Sequence, residues 1–184
     1  MKALLLLAEG FEETEAIQTF DVLSRTKQIE VTLASINDDL RVKSSHGLLV
    51  TAHALLKEVD LSSFEFLILP GGKLGVKNLE ESLLVQETIQ YFYKNNKNIH
   101  AICAAPPILF RAGAIDKDTP YICFPGFEQV EYGPKHQKDA HVVDSPRNIT
   151  GRSMGWTLDF AFQIVRHHLG EEVVQQIEKG ILGK

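Results

Sequence analysis

Cysteine is scarce here. Two in 184 residues, Cys103 and Cys123, are too few and too far apart for a disulfide framework or a zinc site, and a reducing cytoplasm is the simplest compartment. No segment approaches the ~18 apolar residues of a membrane span. The leading "MKALLLLAEGFEE" has too short an apolar run and meets acidic residues at once, with no small-residue cleavage pattern, so it reads as a buried first strand rather than a secretory signal. No basic stripe offsets the net charge of −5, which argues against nucleic acid as a partner. Internal repeats, low-complexity tracts and linkers are also missing, so residues 1–184 read as one domain. A chain of this length can bury roughly 70% of its unfolded surface and needs no metal or disulfide staple.

What is present is an alternation of buried strands and helices. "KALLLLA" at 2–8, "IEVTLASI" at 29–36, "FEFLIL" at 64–69 and "IHAI" at 99–102 are continuous apolar runs of the kind that parallel sheets bury on both faces. "RVKSSHGLLVT" at 41–51 predicts a hairpin or edge excursion with Gly47 near its bend. Helical patterns fall at about 13–26, 81–95, 106–112, 155–169 and 171–180. The alternation predicts an open α/β sandwich, in which ligands bind at the carboxyl ends of strands.

Three strand ends carry unusual residues. In "NIHAICAAPPILF" Cys103 follows an apolar strand and precedes small residues and two prolines, a pattern suited to a sharp strand-to-helix turn resembling a nucleophile elbow. A helix N-terminus there would favour the thiolate. The same stretch also fits a buried cysteine acting as a small hydrophobe. "LPGGKLG" places Gly71, Gly72 and Gly75 after a strand, where backbone amides can face an oxyanion, but its spacing is not that of a phosphate cradle. "AEGFEETEAI" opens a helix with Glu12, Glu13 and Glu15; the first two read as solvated dipole partners, while Glu15 could face the sheet. A carboxylic acid beside a thiolate would be pushed toward its neutral form and could donate to sulfur. No cluster of metal ligands and no cofactor motif is evident.

These motifs, "GFEETEA", "LPGGKLGVKNL", "AICAAP" and the late "GWTLDFAFQIV", resemble in order and spacing the ThiJ/PfpI superfamily, which includes the parkinsonism-associated protein deglycase; the bacterial YajL-like branch is the nearest in pattern. The resemblance covers essentially the whole chain. It implies a flavodoxin-like three-layer sandwich of the class I glutamine amidotransferase type, usually a homodimer. It also implies that Cys103 is a nucleophilic, oxidation-prone cysteine, that Glu15 hydrogen-bonds its sulfur, and that the Gly71 and Gly72 amides face a pocket that Ala104 and Phe124 border. Arg25, and more weakly His46, match positions that some relatives bring across a dimer interface toward the pocket. Departures are equally specific. Phe124 stands where glyoxalase-active relatives often carry histidine, Ala105 and Lys73 replace the usual glycine and asparagine, and Ala104 replaces the histidine that follows cysteine in the peptidase-like branch.

Two functions follow as expectations. One is a cofactor-free cysteine enzyme of the glyoxalase or deglycase kind acting on small reactive carbonyls. The other is a non-catalytic oxidative-stress sensor or chaperone-like protein whose Cys103 is oxidised by peroxide to sulfenic or sulfinic acid. A peptidase or amidase ranks lower because no histidine adjoins Cys103. Cys123, read as lying in the strand after the elbow, is either a resolving thiol or a packed core residue. Lys73 and Trp156 are expected at the pocket wall with Phe124. His100 reads as a satisfied core histidine, and His167 and His168 as dipole partners at a helix C-terminus.

Overall fold

The computed structural model describes residues 1–128 and 135–183. β1 (Lys2–Leu7) lies between β2 (Glu30–Ser35) and β6 (Phe66–Leu69), and all three run parallel. β5 (Ala54–Leu55) extends the sheet beyond β2, and β7 (Asn98–Ile102) extends it beyond β6. β9 (Asn148–Gly151) joins β7 in parallel, and β8 (Val142–Ser145) closes that edge antiparallel, giving the order β5-β2-β1-β6-β7-β9-β8. β3 (Arg41–Lys43) and β4 (Leu49–Thr51) form a separate antiparallel hairpin that turns through Gly47 at φ +91°.

The continuous apolar strands are explained by the period of two. Leu4, Leu6, Leu67 and Leu69 point into one core, and Ala3, Leu5, Leu7, Phe66 and Ile68 into the other. α2 (Lys73–Glu81), α3 (Leu83–Lys94) and α4 (Pro106–Arg111) cover the first face; α1 (Glu13–Arg25), α5 (Thr157–Leu169) and α6 (Glu171–Leu182) cover the second. Each fully buried leucine contributes about 1.5–3 kcal/mol. The result is the expected three-layer α/β sandwich.

Several boundaries differ from the sequence expectation. The helix expected at 81–95 is two helices: Ser82 ends α2 and caps α3 by accepting from the Val85 N–H at 3.3 Å. The short strands β5, β8 and β9 were not predicted because their runs are brief or polar. "ICFP" is not a strand either; Tyr121 makes an isolated bridge to His136, and residues 122–124 lie in irregular chain.

The strand period also sends His100 of β7 into the α5-side core, fully buried. Its Nδ1 accepts from the Ile149 N–H at 3.0 Å, so Nε2 carries the proton, facing Nε2 of His168 at 2.9 Å. His168 stacks on Phe66, their ring centroids 4.2 Å apart. Burial pushes both imidazoles down, His100 well below its usual value and His168 to about 4; His167 pushes in the same direction, and Asp144 and Glu65 oppose it at His168. A histidine with a lowered folded pKa contributes stability above pH ~6.5 and loses it as the pH falls toward the folded value. The melting temperature is therefore expected to fall between pH 7 and 4, with His168 contributing on the order of 1–3 kcal/mol. A melting series should show His168→Gln with a shallower acid slope than wild type; identical slopes would remove His168 as the source.

Candidate active site

Cys103 sits one residue past β7 with φ +65°, in the left-handed region that non-glycine residues rarely occupy. Such a conformation costs about 1–3 kcal/mol and persists only when its surroundings impose it. They do. The Cys103 N–H donates to the Gly151 carbonyl of β9 at 2.9 Å, and its own carbonyl accepts from the Phe124 N–H at 2.7 Å. The small Ala104 and Ala105 follow, and Pro106 and Pro107 open α4. The expected elbow is formed.

Glu15, in the first turn of α1, is 1% exposed. Its Oε2 accepts from the Gly71 N–H at 2.7 Å, while Oε1 is buried without a partner at ordinary hydrogen-bond distance. Two strand-end loops lie flush here. The Glu12 N–H donates to the Gly71 carbonyl and the Gly75 N–H to the Gly10 carbonyl, each at 3.0 Å. A Cβ on Gly71 would stand 2.6 Å from both Cys103 Cβ and Glu15 Oε2, so only glycine lets the acid and the thiol approach across it.

The electrostatics differ from the sequence expectation in two ways. First, α4 has only six residues, and its dipole does not govern the thiol. Burial pushes the Cys103 thiol up, and the charge and hydrogen bond of Glu15 add to the rise; the N–H groups of Ala104 and Gly72 oppose it. Second, the Gly71 amide is taken by Glu15, so the amides that face sulfur are those of Gly72 and Ala104. Burial also raises the Glu15 carboxyl to about 7, against the bonds from Cys103 and Gly71. Two adjacent buried negative charges are disfavoured, so near neutral pH the pair carries at most one and shares the remaining proton.

Cys103, Glu15, Gly72 and Ala104 line the buried part of a pocket of about 380 Å³. Phe124, Phe127 and Met154 form apolar walls that open to solvent, and Glu12, Ser153 and the exposed Lys73 supply further polar groups. Phe127 and Met154 were not anticipated; the aromatic-rich "FPGF" turn and "TGRSMGWT" were the available signals. Among the described residues, no histidine lines this pocket. Trp156 is not at the wall: it stacks on His141, ring centroids 3.3 Å apart. Arg25 does not reach the pocket within one chain. It pairs with Asp21 at 2.6 Å at the far end of α1 and borders a separate depression against α6. His46, exposed near the hairpin bend, binds Glu13 Oε1 at 2.9 Å and stays outside the pocket. Among the described residues, Glu12, Glu13 and His46 are the one group of three or more whose ligand atoms lie within 4.8 Å of one another, and the Ser45 hydroxyl already lies within hydrogen-bond distance of both carboxylates. Cys123 is fully buried in the core between the sheet and α3–α4, and burial, with Glu128, pushes its thiol up to about 12. That placement favours the packed-cysteine reading.

Residues 1–167 match the model of the DJ-1/PfpI family. Among curated proteins, the chain is 34% identical to Protein dj-1beta of Drosophila melanogaster over 181 residues, 98% of this chain and 96% of that one. It is 31% identical to the Parkinson disease protein 7 homolog of Danio rerio over 186 residues, covering 100% and 97%. Among solved structures, oxidised DJ-1 of Toxoplasma gondii superposes with a TM-score of 0.90 at 26% identity, covering 98% of this chain and 97% of that one.

Proposed function

The chain belongs to the DJ-1/PfpI family, and from that premise we propose that it is a cofactor-independent cysteine enzyme converting small 2-oxoaldehydes, in the glyoxalase or deglycase manner. The observation that carries this reading is the convergence of Cys103, a carboxyl with pKa about 7 and two backbone N–H groups in one pocket. A carboxyl poised near the working pH can both give and take a proton.

In the proposed reaction the thiol proton passes to Glu15 as Sγ attacks the aldehyde carbon; the carbonyl electron pair moves to oxygen, which the Gly72 and Ala104 amides stabilise until it takes that proton from Glu15. Glu15 then removes the hydrogen from that carbon as a proton, leaving an enediolate, and returns it to the adjacent carbon, while the proton on the first carbon's hydroxyl passes to the second carbon's oxygen. The first carbon is oxidised to a thioester as the second is reduced to an alcohol. Water cleaves the thioester to a 2-hydroxy acid and frees the thiol. Phe124 cannot supply the second acid or base that a histidine there would, so the transfers at the buried sulfur fall to Glu15, and turnover is expected to be slow, by about 10²–10⁴-fold where a second group would assist. Methylglyoxal consumption by purified protein tests this: slow turnover that disappears in Cys103→Ser is expected, and equal rates in the two proteins would overturn it.

The absence of histidine from the pocket favours one second reading, an oxidation sensor, which needs no second base. The relative from Toxoplasma gondii was solved in an oxidised form. Here peroxide would oxidise Cys103 to sulfenic or sulfinic acid, with the Glu15 acid donating to the added oxygen. Peroxide treatment that leaves the intact mass unchanged counts against it. A homodimer in the cytoplasm belongs to the same proposal. Exposed Leu48 and Leu49 on the hairpin support a self-association face, and among the described residues no helix is long and apolar enough to cross a membrane.

A further inference from the structure

We propose that the Cys103 pocket selects 2-oxoaldehydes bearing a bulky apolar substituent, an arylglyoxal in preference to methylglyoxal, and that Phe124, Phe127 and Met154 set this preference. The inference rests on Cys103 adding to aldehydes, the first step of the reading above, but not on completed turnover.

Three observations carry it. The pocket holds about 380 Å³, roughly a dozen water volumes at ~30 Å³ each, and a substrate ending in a single methyl group leaves most of that space to water. Next, the walls facing that space are large apolar side chains left partly in solvent: Phe124 is 42% and Met154 51% exposed. Such surface at the mouth of a reactive pocket is unsatisfied until an apolar group covers it. Finally, Phe124 and Phe127 meet edge to face, with centroids 6.2 Å apart and planes at 82°. That arrangement can offer a ring face and a ring edge to an incoming aromatic ring, while the Met154 thioether can adapt to its outline.

The bonding step orients the substituent. Sγ bonds to the aldehyde carbon, the C=O π bond opens, and the thiol proton passes through Glu15 to the new hydroxyl; nothing is oxidised or reduced, and the adduct is reversible. With the hydroxyl on the Gly72 and Ala104 amides and Glu15 packed in the buried wall, the rest of the molecule extends toward Phe124, Phe127 and Met154.

Reversible protection of Cys103 tests this without requiring turnover. Iodoacetamide alkylation of Cys103 is followed by peptide mass while phenylglyoxal or methylglyoxal is titrated in. The ratio of half-protecting concentrations is divided by the same ratio for N-acetylcysteine, which removes intrinsic electrophilicity. Wild type is expected to favour phenylglyoxal by about 10-fold or more after this correction. Phe124→Ala and Met154→Ala, both at exposed positions that folding should tolerate, are expected to bring the ratio toward 1. A corrected ratio near 1 in wild type, or one unchanged in both variants, overturns the proposal. Selective protection without turnover of either aldehyde would sink the enzyme reading and leave this preference standing.

Discussion

Glu15→Gln is expected to slow 2-oxoaldehyde turnover by about 10²–10⁴-fold while making Cys103 more reactive toward iodoacetamide at neutral pH. The opposite signs follow from the two roles of one carboxyl. Glutamine can still accept from the Gly71 N–H and can point its amide donor at sulfur, but it cannot carry a proton between carbons. It also removes the negative charge that, after burial, most raises the Cys103 thiol, so the thiolate fraction should rise. Ultraviolet titration of the thiolate and alkylation rates against pH read this directly. Turnover and alkylation falling together would instead make Glu15 a packing element.

The same substitution has a stability signature. The Glu15 pKa of about 7 in the fold, against 4.5 unperturbed, means its contribution to stability is full below pH ~4.5 and is lost as the pH rises through about 7. At ~1.36 kcal/mol per pH unit, the rise to about 7 corresponds to on the order of 3 kcal/mol. Glutamine does not titrate and contributes no such pH dependence. Relative to wild type, the variant should gain melting temperature from pH 5 to pH 8, by roughly 6–12 °C at ~2–4 °C per kcal/mol.

Gly72→Ala is expected to cost about 3–5 kcal/mol and to lower the melting temperature by roughly 6–20 °C. The residue has φ +93°, and a Cβ there would lie 2.4 Å from the Gly10 carbonyl oxygen and 2.7 Å from the Glu12 nitrogen. Both are backbone atoms, so no side chain can swing aside. The loops must part, straining the Glu12–Gly71 and Gly75–Gly10 hydrogen bonds and drawing the Gly72 amide from sulfur. Gly180→Ala is the matched control. It lies in α6 with nothing within 4 Å of the added carbon and should stabilise by about 0.5–1 kcal/mol. A Gly72→Ala protein melting within a degree or two of wild type would show that the loop contact is not tight.

Much of this protein was legible in its residue order because the signals are short-ranged. The continuous apolar runs of "KALLLLA" and "FEFLIL" determined strands buried on two faces, and Cys103 among small residues and prolines determined an elbow. Gly71 and Gly72 marked a close backbone approach before any partner could be named. The tertiary structure alone decided that the Gly71 amide serves Glu15, and that Arg25 lies away from the pocket. It also reversed the expected shift of the Cys103 thiol. The reason is physical. Strand period and turn geometry are properties of neighbours along the chain, whereas desolvation and Coulomb interactions depend on which groups folding brings within a few ångströms, and residues 15, 72 and 103 meet only once the sheet has assembled.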